Sequence, residues 1–144
     1  KYGATYKATQ VQADKRKNTF TANIATAYPA EAEVESWIRS YSLQKGQLRI
    51  SDSFRLTTAK QPNQINFMTW GQVNTEIPGK IQLEVKGKKA VIEYDKQLFD
   101  VKTEIIPLTD TRLSNVWGKS ICRITLTATN IYKTGNYSFT IKKQ

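Results

Sequence analysis

The chemistry open to this sequence is narrowed first by a residue it lacks. There is no histidine in 144 residues, which excludes histidine-ligated zinc, a histidine-activated serine or cysteine nucleophile, and histidine acid–base catalysis. No pair of carboxylates can be placed at the separation a glycosidase needs, and no glycine-rich phosphate loop is present. A self-contained hydrolase is not expected, and neither a catalytic residue, a metal nor a cofactor is assigned.

Binding chemistry is better represented. Lys and Arg number 22 against 12 Asp and Glu, a net charge of +10, which suits a polyanion such as nucleic acid, an acidic polysaccharide or a phospholipid surface. Lys15-Arg16-Lys17 and Lys86-Gly87-Lys88-Lys89 are the candidate anion patches. Lysines at hairpin tips and sheet edges also guard against aggregation, and that reading stands beside the functional one. Nucleic acid is disfavoured, because no aromatic-rich RNA motif, zinc-finger spacing or basic helix accompanies the charge. Trp70 precedes Gly71 and Trp117 precedes Gly118, positions at strand or turn ends where an exposed indole can stack on a sugar ring. Packing, as expected for Trp37, is the alternative for both.

The elements that position these residues are strands. Short alternating runs rich in Thr, Val, Ile and aromatics, separated by Gly, Pro, Asn and Asp, predict an all-β fold. From Val34 to Thr57, a two-residue Lys45-Gly46 turn sets Leu43 opposite Leu48, Tyr41 opposite Ile50, Arg39 opposite Asp52 and Trp37 opposite Phe54. The other face then carries Ser36, Ser40, Ser42, Arg49, Ser51, Ser53 and Arg55, with Ile38 the exception. Arg39 and Asp52 on an apolar face read as a structural bridge, or else as an arginine fork free to take a ligand carboxylate or sulfate. From Ile81 to Asp95, a Gly87-Lys88 turn predicts a half-buried ribbon pairing Val85 with Ala90, Leu83 with Ile92 and Ile81 with Tyr94, with Lys80 facing Asp95 and Val91 out of pattern.

Further strands are expected over Thr5–Ala13, Thr19–Ala25, Gln64–Trp70, Phe99–Ile106, Ser120–Ala128 and Asn136–Lys142, with a helical turn only at Pro29–Val34, Pro29 opening it. Cys122 is expected on a buried face with Ile124 and Leu126, as a small apolar residue. The expected architecture is an antiparallel β-sandwich of about ten strands in one domain spanning residues 1–144, with at most one short helical turn. The candidate substrate-binding residues are Arg39, Trp70, Trp117, Lys86, Lys88 and Lys89. No apolar run approaches the ~20 residues of a membrane span. The opening Lys1-Tyr2-Gly3-Ala4, without initiator methionine or signal-like apolar region, reads as the start of a piece cut from a larger protein.

Four stretches carry a resemblance: Ile24-Ala25-Thr26-Ala27-Tyr28-Pro29, Val34-Glu35-Ser36-Trp37-Ile38-Arg39-Ser40-Tyr41, Leu48-Arg49-Ile50-Ser51-Asp52-Ser53-Phe54 and Leu113-Ser114-Asn115-Val116-Trp117-Gly118. In order and spacing the chain resembles the C-terminal β-sandwich of heparinase II/III-like polysaccharide lyases. The resemblance implies a periplasmic or secreted parent in which an N-terminal (α/α) toroid, carrying catalytic tyrosine, histidine and asparagine, cleaves acidic polysaccharide such as a glycosaminoglycan by β-elimination. None of those catalytic residues can be carried onto this chain. It implies a noncatalytic domain that supports the toroid and walls the substrate cleft, with the toroid and the acidic polysaccharide as partners. An autonomous carbohydrate- or protein-binding sandwich is the competing expectation, and a purely structural domain a third.

Overall fold

A computed structural model describes residues 3–144; Lys1 and Tyr2, the first of them counted in the charge above, lie outside the described residues. The strands are β1 (Thr9–Asp14), β2 (Thr19–Asn23), β3 (Val34–Gln44), β4 (Gln47–Leu56), β5 (Gln64–Thr69), β6 (Gln72–Asn74), β7 (Lys80–Val85), β8 (Lys88–Tyr94), β9 (Phe99–Pro107), β10 (Ser120–Ala128) and β11 (Thr134–Lys143), with one α-helix, α1 (Thr111–Trp117). They form two antiparallel sheets, of eight and three strands, an all-β sandwich as the alternating pattern predicts. By contacts the chain falls into two compact units, the first ending at Gln61 and completed by Ile131–Lys142, the second spanning Pro62–Asn130 with the last two residues.

In the first unit, β1, β2, β3, β4 and β11 pair in that order. The β3–β4 register is the expected one, with Leu43 opposite Leu48, Tyr41 opposite Ile50, Arg39 opposite Asp52 and Trp37 opposite Phe54. Lys45 and Gly46 both take positive φ, +50° and +73°, the geometry of a type I′ turn, whose twist matches that of the strands it joins. On the inner face Trp37 stacks on Phe54 with ring centroids 5.0 Å apart, and Tyr137 packs on Phe54 at 4.8 Å. Gly135 lies opposite Phe54, where an added Cβ would stand 3.0 Å from the ring. β2 stops at Asn23, two residues earlier than expected, because the Asn23 side-chain oxygen accepts from the amides of Ala25 and Trp37 and turns the chain into a 3-10 turn at Ala25–Ala27. β1 likewise begins at Thr9, later than expected. The helical turn expected after Pro29 is a 3-10 turn at Ala30–Ala32, with Pro29 before its first residue and Glu33 closing it in the left-handed region.

In the second unit, β10 runs between β5 and β9. Its alternate residues Cys122, Ile124, Leu126 and Ala128 are buried, and the same unit also buries Ile65, Ile81, Ile92 and Phe99. Pro107 ends β9 opposite Ser120, on an edge strand where a missing amide hydrogen costs least. The second hairpin corrects the expected register. Its turn is Lys86-Gly87, with φ of +50° and +74°, so Val85 faces Lys88, Leu83 faces Ala90, Ile81 faces Ile92 and Lys80 faces Glu93. The same Lys-Gly pair that closes the first hairpin closes this one, again as a type I′ turn, whereas a turn with glycine first was expected. A shift of two residues keeps every side chain on its predicted face. Val91 is nonetheless only 1% exposed, so the ribbon is not solvated on one whole side as expected. The helix α1 and the short strand β6 were not anticipated.

Because Ile124 is fully buried between two paired strands, Ile124→Ala is expected to lower the unfolding free energy by about 2–5 kcal/mol. Urea denaturation measures it, and a loss below ~1 kcal/mol contradicts the packing described.

Candidate functional site

The alternation that buries Ile124 turns its neighbours outward. β5 sets Thr69 opposite Cys122 and Met68 opposite Arg123, so Met68 faces away from the core and Trp70, two residues on, follows it. At the end of this outer face, Met68, Thr69 and Trp70 join Leu108, Ile121 and two residues of α1, Leu113 and Trp117, around a groove of about 290 Å³. Trp70 is 39% exposed and Trp117 48% exposed. Lys86 reaches over the Trp70 ring, its ammonium 5.1 Å from the ring centroid, within range of a cation–π attraction. Farther along the same face the surface turns polar, with an Arg123–Glu104 ion pair and a 2.7 Å hydrogen bond from Thr125 Oγ1 to Asn66 Oδ1.

The short helix holds one wall of this groove. The Asp110 carboxylate caps its start, accepting from the Arg112 amide at 2.8 Å and pairing with the Arg112 guanidinium. Gly118, with φ of +89°, ends it, and the Leu108 amide donates to the Lys119 carbonyl at 2.8 Å, closing the loop at its base. These hydrogen bonds from Arg112 hold the Asp110 carboxyl below its usual range.

The structure thus gathers Trp70, Trp117 and Lys86, which the sequence singled out, and adds Met68, Leu108, Leu113 and Ile121, which it did not. The missed signal was local: Asp110 as an N-cap, Gly118 as a stop, and Leu113, Val116 and Trp117 at helical spacing between them. Lys89 pairs with Glu84 at 3.8 Å and lines a shallow polar depression with Gln72, Asn74, Gln82 and Gln144. Lys88 is exposed at the start of β8. Arg39 belongs to the first unit, where its fork is engaged: Nε donates to Asp52 Oδ1 at 2.7 Å and a terminal nitrogen to Oδ2 at 2.8 Å. The Asp52 side chain is wholly buried, and its carboxylate raises the Arg39 guanidinium further above its ordinary range. Cys122 is buried and unpaired by any disulfide. Among the described residues no three His, Cys, Asp or Glu side chains gather as a metal site, and no helix is long and apolar enough to cross a membrane. An apolar groove with a cation at its lip can grip flat, greasy groups; it contains no acid–base pair.

The sequence itself matches no family model and no curated protein. The fold does match solved structures. A crystal structure of a heparan sulfate lyase HepC mutant from Pedobacter heparinus superposes with a TM-score of 0.69 at 12% identity, covering 95% of this chain and 22% of that one. A crystal structure of HepC itself gives 0.67 at 12% identity, with the same coverage. A heparan sulfate lyase carries this fold. That is the architecture the resemblance in sequence implied, and the chain spans about a fifth of the length of the structures it matches.

Two outcomes test the geometry of these polar groups. Asp52→Ala, which leaves Arg39 facing a buried gap, is expected to cost about 3–5 kcal/mol by urea denaturation. Because the Asp110 carboxyl is lowered in the folded chain, its capping contribution is present above the ordinary aspartate range and fades as pH falls through the lowered value. The Arg112 amide resonance should follow that titration by NMR, and Asp110→Asn should remove it.

Proposed function

We propose that this chain is the noncatalytic β-sandwich of a periplasmic or secreted lyase that cleaves uronate-containing acidic polysaccharide by β-elimination, supporting a separate catalytic domain and one wall of the substrate cleft. The carrying observation is the fold match over 95% of this chain to 22% of a heparan sulfate lyase. The net charge of +10 agrees with it, since a positive field raises the local concentration of a polyanionic chain.

In such a reaction a base removes the proton beside the uronate carboxylate and an acid protonates the leaving oxygen. Stabilising the enolate requires preorganised donors at the reacting sugar. In this reading those donors belong to the separate catalytic domain. Lys86, Lys88 and Lys89 crowd the tip of the β7–β8 hairpin, where their part is to attract and steer the polymer. Their contribution weakens with salt, because exposed charges are screened within about 8 Å at physiological ionic strength. Arg39, engaged by Asp52, has a structural part in this reading.

The 144-residue chain alone should therefore release no unsaturated uronate from heparan sulfate, measured by ultraviolet absorbance, while the longer polypeptide that contains it should. Product from the isolated chain, or none from the longer one, overturns the assignment. Replacing Lys86, Lys88 and Lys89 together by alanine should move the isolated chain to earlier, lower-salt elution from immobilised heparin.

A further inference from the structure

We propose that the turn end of the first unit is a binding site for an acidic sugar residue, seated on Phe20 and Tyr41 with its carboxylate or sulfate at Lys15 and Arg16. The site rests on the reading of this chain as one that handles an acidic polysaccharide, but it lies in the first unit, whereas Lys86, Lys88 and Lys89 belong to the second. The strand register builds it. Phe20 on β2 lies opposite Tyr41 on β3, and Leu43 on β3 opposite Leu48 on β4, so these four emerge on the face that farther along buries Ala22, Ile50 and Phe54. At the turns that face opens. Phe20 is 42% and Leu43 53% exposed, and together with Lys15 and Asn18 they line a hollow of about 330 Å³, within the ~300–1,000 Å³ of small-ligand sites.

Charge chooses the occupant. Asp14, the one acidic residue lining the hollow, is turned into its own loop: Oδ1 accepts from the Arg16 and Lys17 amides at 2.9 and 3.1 Å, and Oδ2 lies 3.9 Å from Lys17 Nζ. The Lys15 and Arg16 side chains are exposed and have no ion-pair or hydrogen-bond partner among the described residues. Two free cations in the turn that leads into an open aromatic ring complement a ring that carries an anionic group. The floor is held in place. The Phe20 and Tyr41 rings pack with centroids 6.1 Å apart, and Arg39, itself held by Asp52, also hydrogen-bonds the Tyr41 side chain. The Leu43 amide donates to the Asn18 carbonyl at 2.9 Å, tying the turn that bears the cations to the strand that bears the floor. The Asn18 carboxamide, donor and acceptor at once, suits hydroxyl groups. A bilayer needs apolar side chains that stand proud, and these line a hollow; a polyphosphate brings charge but no apolar face for Phe20. A pyranose bearing a carboxylate or sulfate brings both.

The 144-residue chain is titrated with a heparan sulfate tetrasaccharide by NMR in about 150 mM salt, where exposed charge is screened within ~8 Å. The Phe20 ring and the Asn18 and Leu43 amides should shift and saturate. Phe20→Ala should weaken binding at least ~10-fold, the loss expected when an aromatic anchor is truncated. Phe20→Leu, which keeps apolar bulk without a ring, should behave as the alanine variant does, while Phe20→Trp, which keeps a flat face, should bind within ~2-fold of the unaltered chain. Lys15→Ala with Arg16→Ala should weaken binding and flatten its salt dependence. No shift at Phe20, or full binding by Phe20→Leu, overturns the proposal. So do equal shifts with inorganic polyphosphate, which mark bulk charge, and equal shifts with a neutral tetrasaccharide, which leave the cations no part. Sedimentation with phosphatidylserine vesicles that Phe20→Ala abolishes assigns the face to a membrane and overturns it too. The lyase assay on the longer polypeptide separates the two readings: Phe20-dependent binding without unsaturated product keeps the site and removes the proposed function, and product without a shift at Phe20 removes the site alone.

Discussion

Side-chain alternation along registered strands is the constraint on which both units rest, interrupted only near Thr9–Gln12 and Val34–Ser36 where the register shifts. β10 is the plainest instance. It is paired along its whole length to β9 and along most of it to β5, and every second residue from Cys122 to Ala128 is buried. A slip of one residue would drive Arg123 and Thr125 inward and expose Ile124 and Leu126, desolvating a charge while losing the core. That same register sends Met68, Trp70 and Ile121 outward. Core and groove are two faces of one pairing, so the stability of the first holds the second in shape.

The first unit uses the constraint for a different end. Because Arg39 and Asp52 are cross-strand partners, their side chains emerge side by side, and the fork of one meets the carboxylate of the other without either backbone moving. A buried carboxylate is tolerable only with such a partner, and a buried pair specifies register more than it adds stability. Any other pairing of β3 with β4 would leave Asp52 buried alone.

Both hairpin faces were legible in the sequence because a period of two is a strong signal, and in the first hairpin Lys45-Gly46 was also read as the turn it is. The second hairpin was displaced by two residues for a local reason: Gly87 can stand first or second in a two-residue turn, and only the positive φ accepted by Lys86 decides between them. A shift of two is invisible to facial pattern, which is why the faces were right and the partners wrong. The groove was harder to foresee. Trp70 and Trp117 are 47 positions apart in the sequence, and what joins them is α1, seven residues too short to show a sustained helical period. Its caps were legible, but short capped turns are common in loops, and the pattern alone does not say which strand the turn will lean on.

Two forces of different range meet at Lys86. As one of the hairpin lysines it contributes to a field that reaches several ångströms into solvent and fades with salt; as the cation over Trp70 it acts at contact distance and is far less screened. A surface that offers only the first attracts any polyanion alike, while a surface that offers only the second selects shape and ignores charge. Lys86 joins both on one side chain, while Lys88 and Lys89 at the same hairpin offer only the first. The charge of Lys88 and Lys89 thus stands at the start of β8, apart from the apolar groove that Trp70 lines.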